Sequence, residues 1–173
     1  VEVSAMTAIK GKGNIKITGI IEEEEMDGRG QKLKRTSTAK ASVENVLTVL
    51  KRFLEVDCTE YDIHLNFPGG IPIDGPSAGI AIATAVYSAV KNIPIRSDIA
   101  MTGEISIRGN VKPVGGVVAK VEAARQAGIK KVIIPKDNWQ ELFNDMDIEV
   151  VPVENIEEVL ELAFGTRRST VDE

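Results

Sequence analysis

Ser77 stands where a loop rich in glycine and proline runs into a long apolar helix pattern, in "GGIPIDGPSAGIAIATAVYSAV" at residues 69–90. A serine at such a junction can simply cap the helix. It can also act as a nucleophile, because the unpaired N–H donors of a first helical turn lie beside its hydroxyl and can stabilise an oxyanion. A nucleophilic serine needs a base to take its proton. The only histidine, His64, lies in the alternating stretch "YDIHLNF" at residues 61–67, where Ile63 and Leu65 point to the opposite face. It reads as structural or substrate-lining, which leaves a histidine-based triad without its base.

A neutral lysine is the remaining choice of base. The SxxK spacing of penicillin-binding enzymes occurs twice, as "STAK" at 37–40 and "SAVK" at 88–91, but their companion motifs SDN and KTG are missing. Lys91 fits better as a cation closing the last turn of a helix. Lys112 falls at a turn, and Lys130 and Lys131 flank a strand. Lys120 is different: Val117, Val118 and Val121 surround it on the first turn of "VVAKVEAARQAG". Burial there would favour the uncharged amine that a general base must be. The competing reading pairs Lys120 with Glu122 or another acid at the surface.

Other chemistries find little support. One cysteine, Cys58, and one histidine make neither an intrachain disulfide nor a zinc cluster, and a reducing, intracellular setting fits that usage. Neither GxxxxGK followed by Ser or Thr nor GxGxxG between strand and helix occurs, so "KGKGN" reads as a turn rather than a phosphate cradle. The four glutamates 22–25 beside Gly28 and Gly30 read as a solvated turn. No cofactor or metal is expected in this chain.

These residues must be held by a fold of ordinary size. With 173 residues, 43% hydrophobic and 27% charged, one compact domain over residues 1–173 is expected. A net charge of −5 gives no general attraction to nucleic acid. No apolar run is long enough to span a membrane and the start does not resemble a signal peptide, so this piece is expected to be soluble and cytoplasmic. The first residue is Val1, which suggests a piece of a longer polypeptide.

Periodicity assigns α+β (mixed α/β) elements with a βαβ-like second half. "VEVSAMTAIKGKGNIKITGI" predicts a hairpin or paired strands around its glycine-rich turn. "STAKASVENVLTVLKRFL" predicts a long helix from Val43, Val46, Leu47 and Leu50, followed by a strand over 61–67 and a buried small-residue helix over 78–91. "IAMTGEISIRGNVKPVGG" reads as two short strands around Gly109-Asn110, and the lysine-bearing helix after it stops at Gly128. "KKVIIP", "NWQELFND", "IEVVPV" and "NIEEVLELAFG" read as strand, helix, strand and helix, and residues 166–173 as a frayed tail.

Three ordered stretches, "DGPSAG" at 74–79, "MTGEISIRGNVKPVGG" at 101–116 and "VVAKVEAA" at 117–124, together resemble the proteolytic domain of Lon, the ATP-dependent Ser-Lys protease family. "KRTSTAKASVENVL" at 34–47 looks like the archaeal, membrane-anchored branch. The resemblance implies Ser77 as nucleophile and Lys120 as general base, with backbone N–H groups of Ser77 and Ala78 as the oxyanion hole. It implies Thr102 as a hydroxyl that orients the lysine, and Asp74 as an acid able to approach that lysine, although a turn or cap role for Asp74 is equally open. His64 falls where bacterial members carry the first of two strand histidines; Asn66 occupies the second position, so no histidine-dependent role carries over.

The family further implies a fold particular to these proteases and a homo-hexameric ring enclosing its sites. It also implies unfolded or damaged proteins as substrates, and an AAA+ ATPase domain of the same full-length chain that uses ATP and Mg. The full-length protein would be anchored to the cytoplasmic face of the cell membrane. The alternative is a catalytically dormant assembly or interaction module of the same fold.

Overall fold

The structure, a computed structural model, describes residues 1–19, 24–26, 32–34, 38–68 and 76–165. The predicted tail at 166–173 and Asp74 lie outside the described residues.

Period-two alternation builds the first sheet. Strands β1 (Glu2–Thr7), β2 (Ile15–Thr18) and β5 (Tyr61–Asn66) form it in the order β1-β5-β2. On β5, Ile63 and Leu65 are buried while Asp62 and His64 are exposed, so one face goes to the core and one to solvent. The opening segment is therefore not a hairpin. β5 inserts between β1 and β2, antiparallel to the first with Ser4 opposite His64, and parallel to the second with Lys16 opposite His64. The glycine-rich turn instead crosses the start of β5, where Ala8 N donates to Glu60 O (2.9 Å) and Gly13 N to Thr59 O (2.8 Å). A side chain at Gly13 would collide with the Tyr61 carbonyl, which explains the glycine.

Short strands β3 (Glu24–Met26) and β4 (Lys32–Lys34) pair antiparallel, so Glu24 and Glu25 belong to a strand and not to the expected acidic turn. The long helix α1 (Thr38–Phe53) follows, buries Val43, Val46, Val49 and Leu50, and makes the crossover between parallel strands β2 and β5. Helix α2 (Gly79–Lys91) packs on it. Its small residues allow close approach, and it ends at Asn92 in the left-handed conformation.

The second half is a parallel sheet in the order β10-β9-β6, from β6 (Ile99–Met101), β9 (Lys131–Pro135) and β10 (Glu149–Val153). Helix α3 (Val117–Gln126) crosses from β6 to β9. The "IAMTGEISIRGNVKP" region holds three strands rather than two. β6 joins the parallel sheet, while β7 (Glu104–Ile105) and β8 (Val111–Lys112) form a hairpin of their own around Gly109. "NWQELFND" is not an α-helix but lies in two 3-10 turns, Lys136–Asn138 and Glu141–Asp145, separated by extended Trp139 and Gln140. Only Phe143 of that stretch is buried, too little apolar surface to seat a full helix. Helix α4 (Ile156–Phe164) is the last element among the described residues, capped by the Asn155 side chain accepting from Glu158 N at 3.0 Å.

Two apolar clusters result among the described residues. The larger joins α1, α2, β5 and α4; the smaller gathers Val117 and Val121 of α3, Val132 and Ile134 of β9, Phe143 and Val150. The faces of β9 are divided between them: Ile133 belongs to the first and its neighbours to the second.

Candidate active site

Ser77 lies in a single 3-10 turn, Pro76–Ala78, that leads into α2. Pro76 suits the entry because its fixed φ matches a helical start. The turn is held from the side by the segment after β6. Gly103 N donates to Ser77 O (2.9 Å), the Thr102 hydroxyl reaches the same carbonyl (3.3 Å), and Ile80 N donates back to Gly103 O (3.2 Å). This seam is so tight that a Cβ on Gly79 would lie 2.8 Å from Ile105 N and 3.3 Å from Gly103 O. Ala78 offers no side-chain cap, so backbone dipoles dominate the start of α2.

Thr102 is the hub. It is buried, and its own N–H donates to Ile133 O of β9 at 3.1 Å. Its hydroxyl has one hydrogen, directed to Ser77 O, and a lone pair that accepts from Lys120 Nζ at 3.4 Å. Three residues distant in sequence thus meet in one hydrogen-bonded series, from the Lys120 amine through the Thr102 hydroxyl to the Ser77 backbone.

Lys120 itself is exposed, not buried as its valine neighbours led us to expect. Helical geometry explains the difference: Val117 and Val121, four apart, share the face that packs on β9, and Val118, Ala119 and Lys120 take the open side. Nor does Lys120 pair with Glu122. That carboxylate is bound by Arg125 (2.6 and 2.9 Å) and by Gln126 (2.9 Å), which hold its pKa down at about 2, well below the usual range.

The other candidates lie elsewhere. His64 is on the solvent face of β5, where its Nε2 meets Thr18 Oγ1 at 2.9 Å. Thr18 donates onward to Asn66 Oδ1 (2.9 Å), so the histidine nitrogen is the donor in this pair. Lys112 and Lys130 are exposed, and Lys131 pairs with Glu149 (3.2 Å). Cys58 is a buried free thiol, which burial pushes up to about 11. One residue escaped the sequence reading: Asn138 binds Val114 by both ends of its amide, at 2.8 and 2.9 Å. Its only advance signal is an asparagine three residues past the strand-ending proline, a pattern shared by many loops.

Comparison with known proteins gives the family. Residues 1–166 match the family described as Lon protease (S16) C-terminal proteolytic domain. The chain belongs to that family. It is 55% identical to Lon protease 2 of Bacillus subtilis over 93% of its length, covering 29% of that protein. It is 46% identical to Archaeal Lon protease of Thermococcus kodakarensis, over 94% of this chain and 24% of that one, and 45% identical to Archaeal Lon protease of Pyrococcus abyssi, over 94% and 15%. The chain thus spans less than a third of the length of these Lon relatives, bacterial and archaeal alike. Its α+β elements are those of a Lon proteolytic domain, and family membership makes it a peptidase domain. Among the described residues no helix is long and apolar enough to cross a membrane.

Proposed function

We propose that the chain is the serine endopeptidase part of an ATP-dependent Lon protease and cleaves unfolded polypeptides with a Ser77-Lys120 dyad. The observation that supports this reading most is the Thr102 hydroxyl, which accepts from Lys120 Nζ while bonding the backbone of Ser77. In the proposed reaction Ser77 Oγ attacks the scissile carbonyl carbon as uncharged Lys120 takes its proton. The resulting oxyanion is held by backbone N–H groups of Ser77 and Ala78 at the start of α2. As the C–N bond breaks, Lys120 returns the proton to the leaving amine, and water then hydrolyses the acyl ester. In a resting site Asp74, three residues before the serine, would approach the lysine and hold it charged, and cleavage would require that contact to be released.

The relatives are several times longer than this chain, which supports a partner AAA+ ATPase domain in the same polypeptide. That domain, and not this one, would bind ATP and Mg; the full-length protein would assemble as a homo-hexamer and be tied to the cytoplasmic face of the cell membrane.

Ser77→Ala is expected to abolish peptide cleavage and leave the fold intact, because among the described residues the turn is held through the Ser77 carbonyl, which the substitution keeps. Lys120→Arg is expected to fail as well, since a guanidinium stays charged and cannot act as a base. Cleavage of an unstructured fluorogenic peptide measures both; wild-type rates in either variant would sink the dyad. The exposure of Lys120 and its long 3.4 Å contact favour a second reading, a dormant module of the same fold. Hydrolysis that is absent in this chain and stays absent when the ATPase region is supplied would select it.

A further inference from the structure

We propose that Asn138 is a positioning residue for Lys120, acting through the backbone of Val114; the inference rests on reading Lys120 as the base. Helix α3 begins with little of its own to define where it starts. Its N-cap is Gly116 at φ +68°, which has no side chain to bind the first-turn N–H groups, and neither Gly115 nor Gly116 has a neighbour within 4 Å of where a Cβ would stand. An uncapped, glycine-led start of this kind can slide or fray.

Asn138 supplies the missing anchor. Its Oδ1 accepts from Val114 N at 2.8 Å and its Nδ2 donates to Val114 O at 2.9 Å, so the side-chain amide pairs with one residue as a neighbouring strand would. The amide itself is fixed by the Lys136–Asn138 turn, which follows directly on β9. That strand also carries Ile133 O, the acceptor for Thr102 N at 3.1 Å. One rigid strand therefore registers both ends of the Lys120–Thr102 contact: Thr102 directly, and Lys120 by way of Asn138, Val114 and the first turn of α3.

The contact is sensitive to that register. At 3.4 Å it is already at the long end for a hydrogen bond, and a displacement of a few tenths of an ångström removes it. Removing the clamp still leaves α3 seated, because Val117 and Val121 are buried against Val132 and Ile134. The consequence falls on alignment more than on folding.

The test uses the longest natural polypeptide that carries this chain, with Asn138→Ala, which removes both bonds, and Asn138→Asp, which keeps the acceptor for Val114 N–H. For Asn138→Ala, kcat on an unstructured peptide is expected to fall about ten- to a hundredfold, as for other small misplacements of a catalytic group, with KM nearly unchanged. Hydrogen exchange at the Val114 amide should accelerate, the thermal midpoint should hold, and Asn138→Asp should recover part of kcat. Unchanged kcat despite faster exchange at Val114 would overturn the proposal. So would a parallel loss of kcat and thermal midpoint in both variants, which marks a purely structural residue. Lys120→Ala is run alongside: cleavage surviving in it overturns the dyad and this inference together, whereas loss in Lys120→Ala with full activity in Asn138→Ala overturns the inference alone.

Discussion

A single hydroxyl links the proposed base to the Ser77 turn. Thr102 is buried, donates to the Ser77 carbonyl and accepts from Lys120, so its removal separates the proposed base from the serine turn without opening the fold. Thr102→Val keeps the shape and deletes the hydroxyl. The Ser77 carbonyl retains its 2.9 Å bond from Gly103 N, so the expected loss of stability is about 1 kcal/mol, the net worth of one ordinary hydrogen bond. The expected loss of kcat is larger, about ten- to a hundredfold, because a lysine without its acceptor samples other rotamers. Thr102→Ser should restore most of it. Peptide cleavage with urea unfolding on the same samples measures both, and equal small losses would argue against an orienting role. Ser77, Lys120 and Thr102 were all legible as candidates in the motifs. The openness of Lys120 was not, because three valines nearby do not reveal which of them share its face.

At the scale of elements, the site depends on how closely the start of α2 meets the segment joining β6 to β7. A methyl group at Gly79 would press on backbone atoms at 2.8 and 3.3 Å, and backbone on both sides is tied by the bonds between Ser77, Gly103 and Ile80. Gly79→Ala is therefore expected to destabilise by about 1–3 kcal/mol, the usual range for overpacking, despite the better helix propensity of alanine. Cleavage should fall with it, since relief of the clash moves the Ser77 turn. A denaturant titration would show it, and a stabilised Gly79→Ala would refute the tight seam. Helices α1, α2, α3 and α4 were readable from apolar spacing, and the end of α3 from Gly128. The 3-10 turns around Trp139 were not, since pieces of three and five residues of mixed polarity carry no period that separates one helical turn from a helix.

For the molecule as a whole, stability should depend on pH at both extremes. Asp57 is held at about 2 by hydrogen bonds from Thr59 and Lys51, Glu122 at about 2 by Arg125, and Asp98 below its usual value by Arg96. Depressed carboxylates stabilise the fold above their unfolded values near 4 and lose that contribution as pH falls toward 2. Cys58 has the opposite sense: burial raises its thiol from 9.0 to about 11, so the unfolded chain ionises first and stability declines between those values. The expected profile is flat near neutrality, with shallow losses below about pH 4 and above about pH 9, because the carboxylates are exposed and screened. Thermal midpoints across pH measure it; a maximum at either extreme would contradict the assignment. The amino-acid sequence by itself determined which segments are helix or strand over most of the chain, and which side chains have the chemistry of a nucleophile and a base, because both follow from local periodicity and residue type. Tertiary structure decided the rest. β5 enters between β1 and β2 because a parallel partner is supplied by a crossover through α1, which no local pattern encodes. Lys120, Thr102 and Ser77 meet because β9 holds the Thr102 backbone and, through the Asn138 turn, the start of α3, a coincidence of positions that only long-range packing can create.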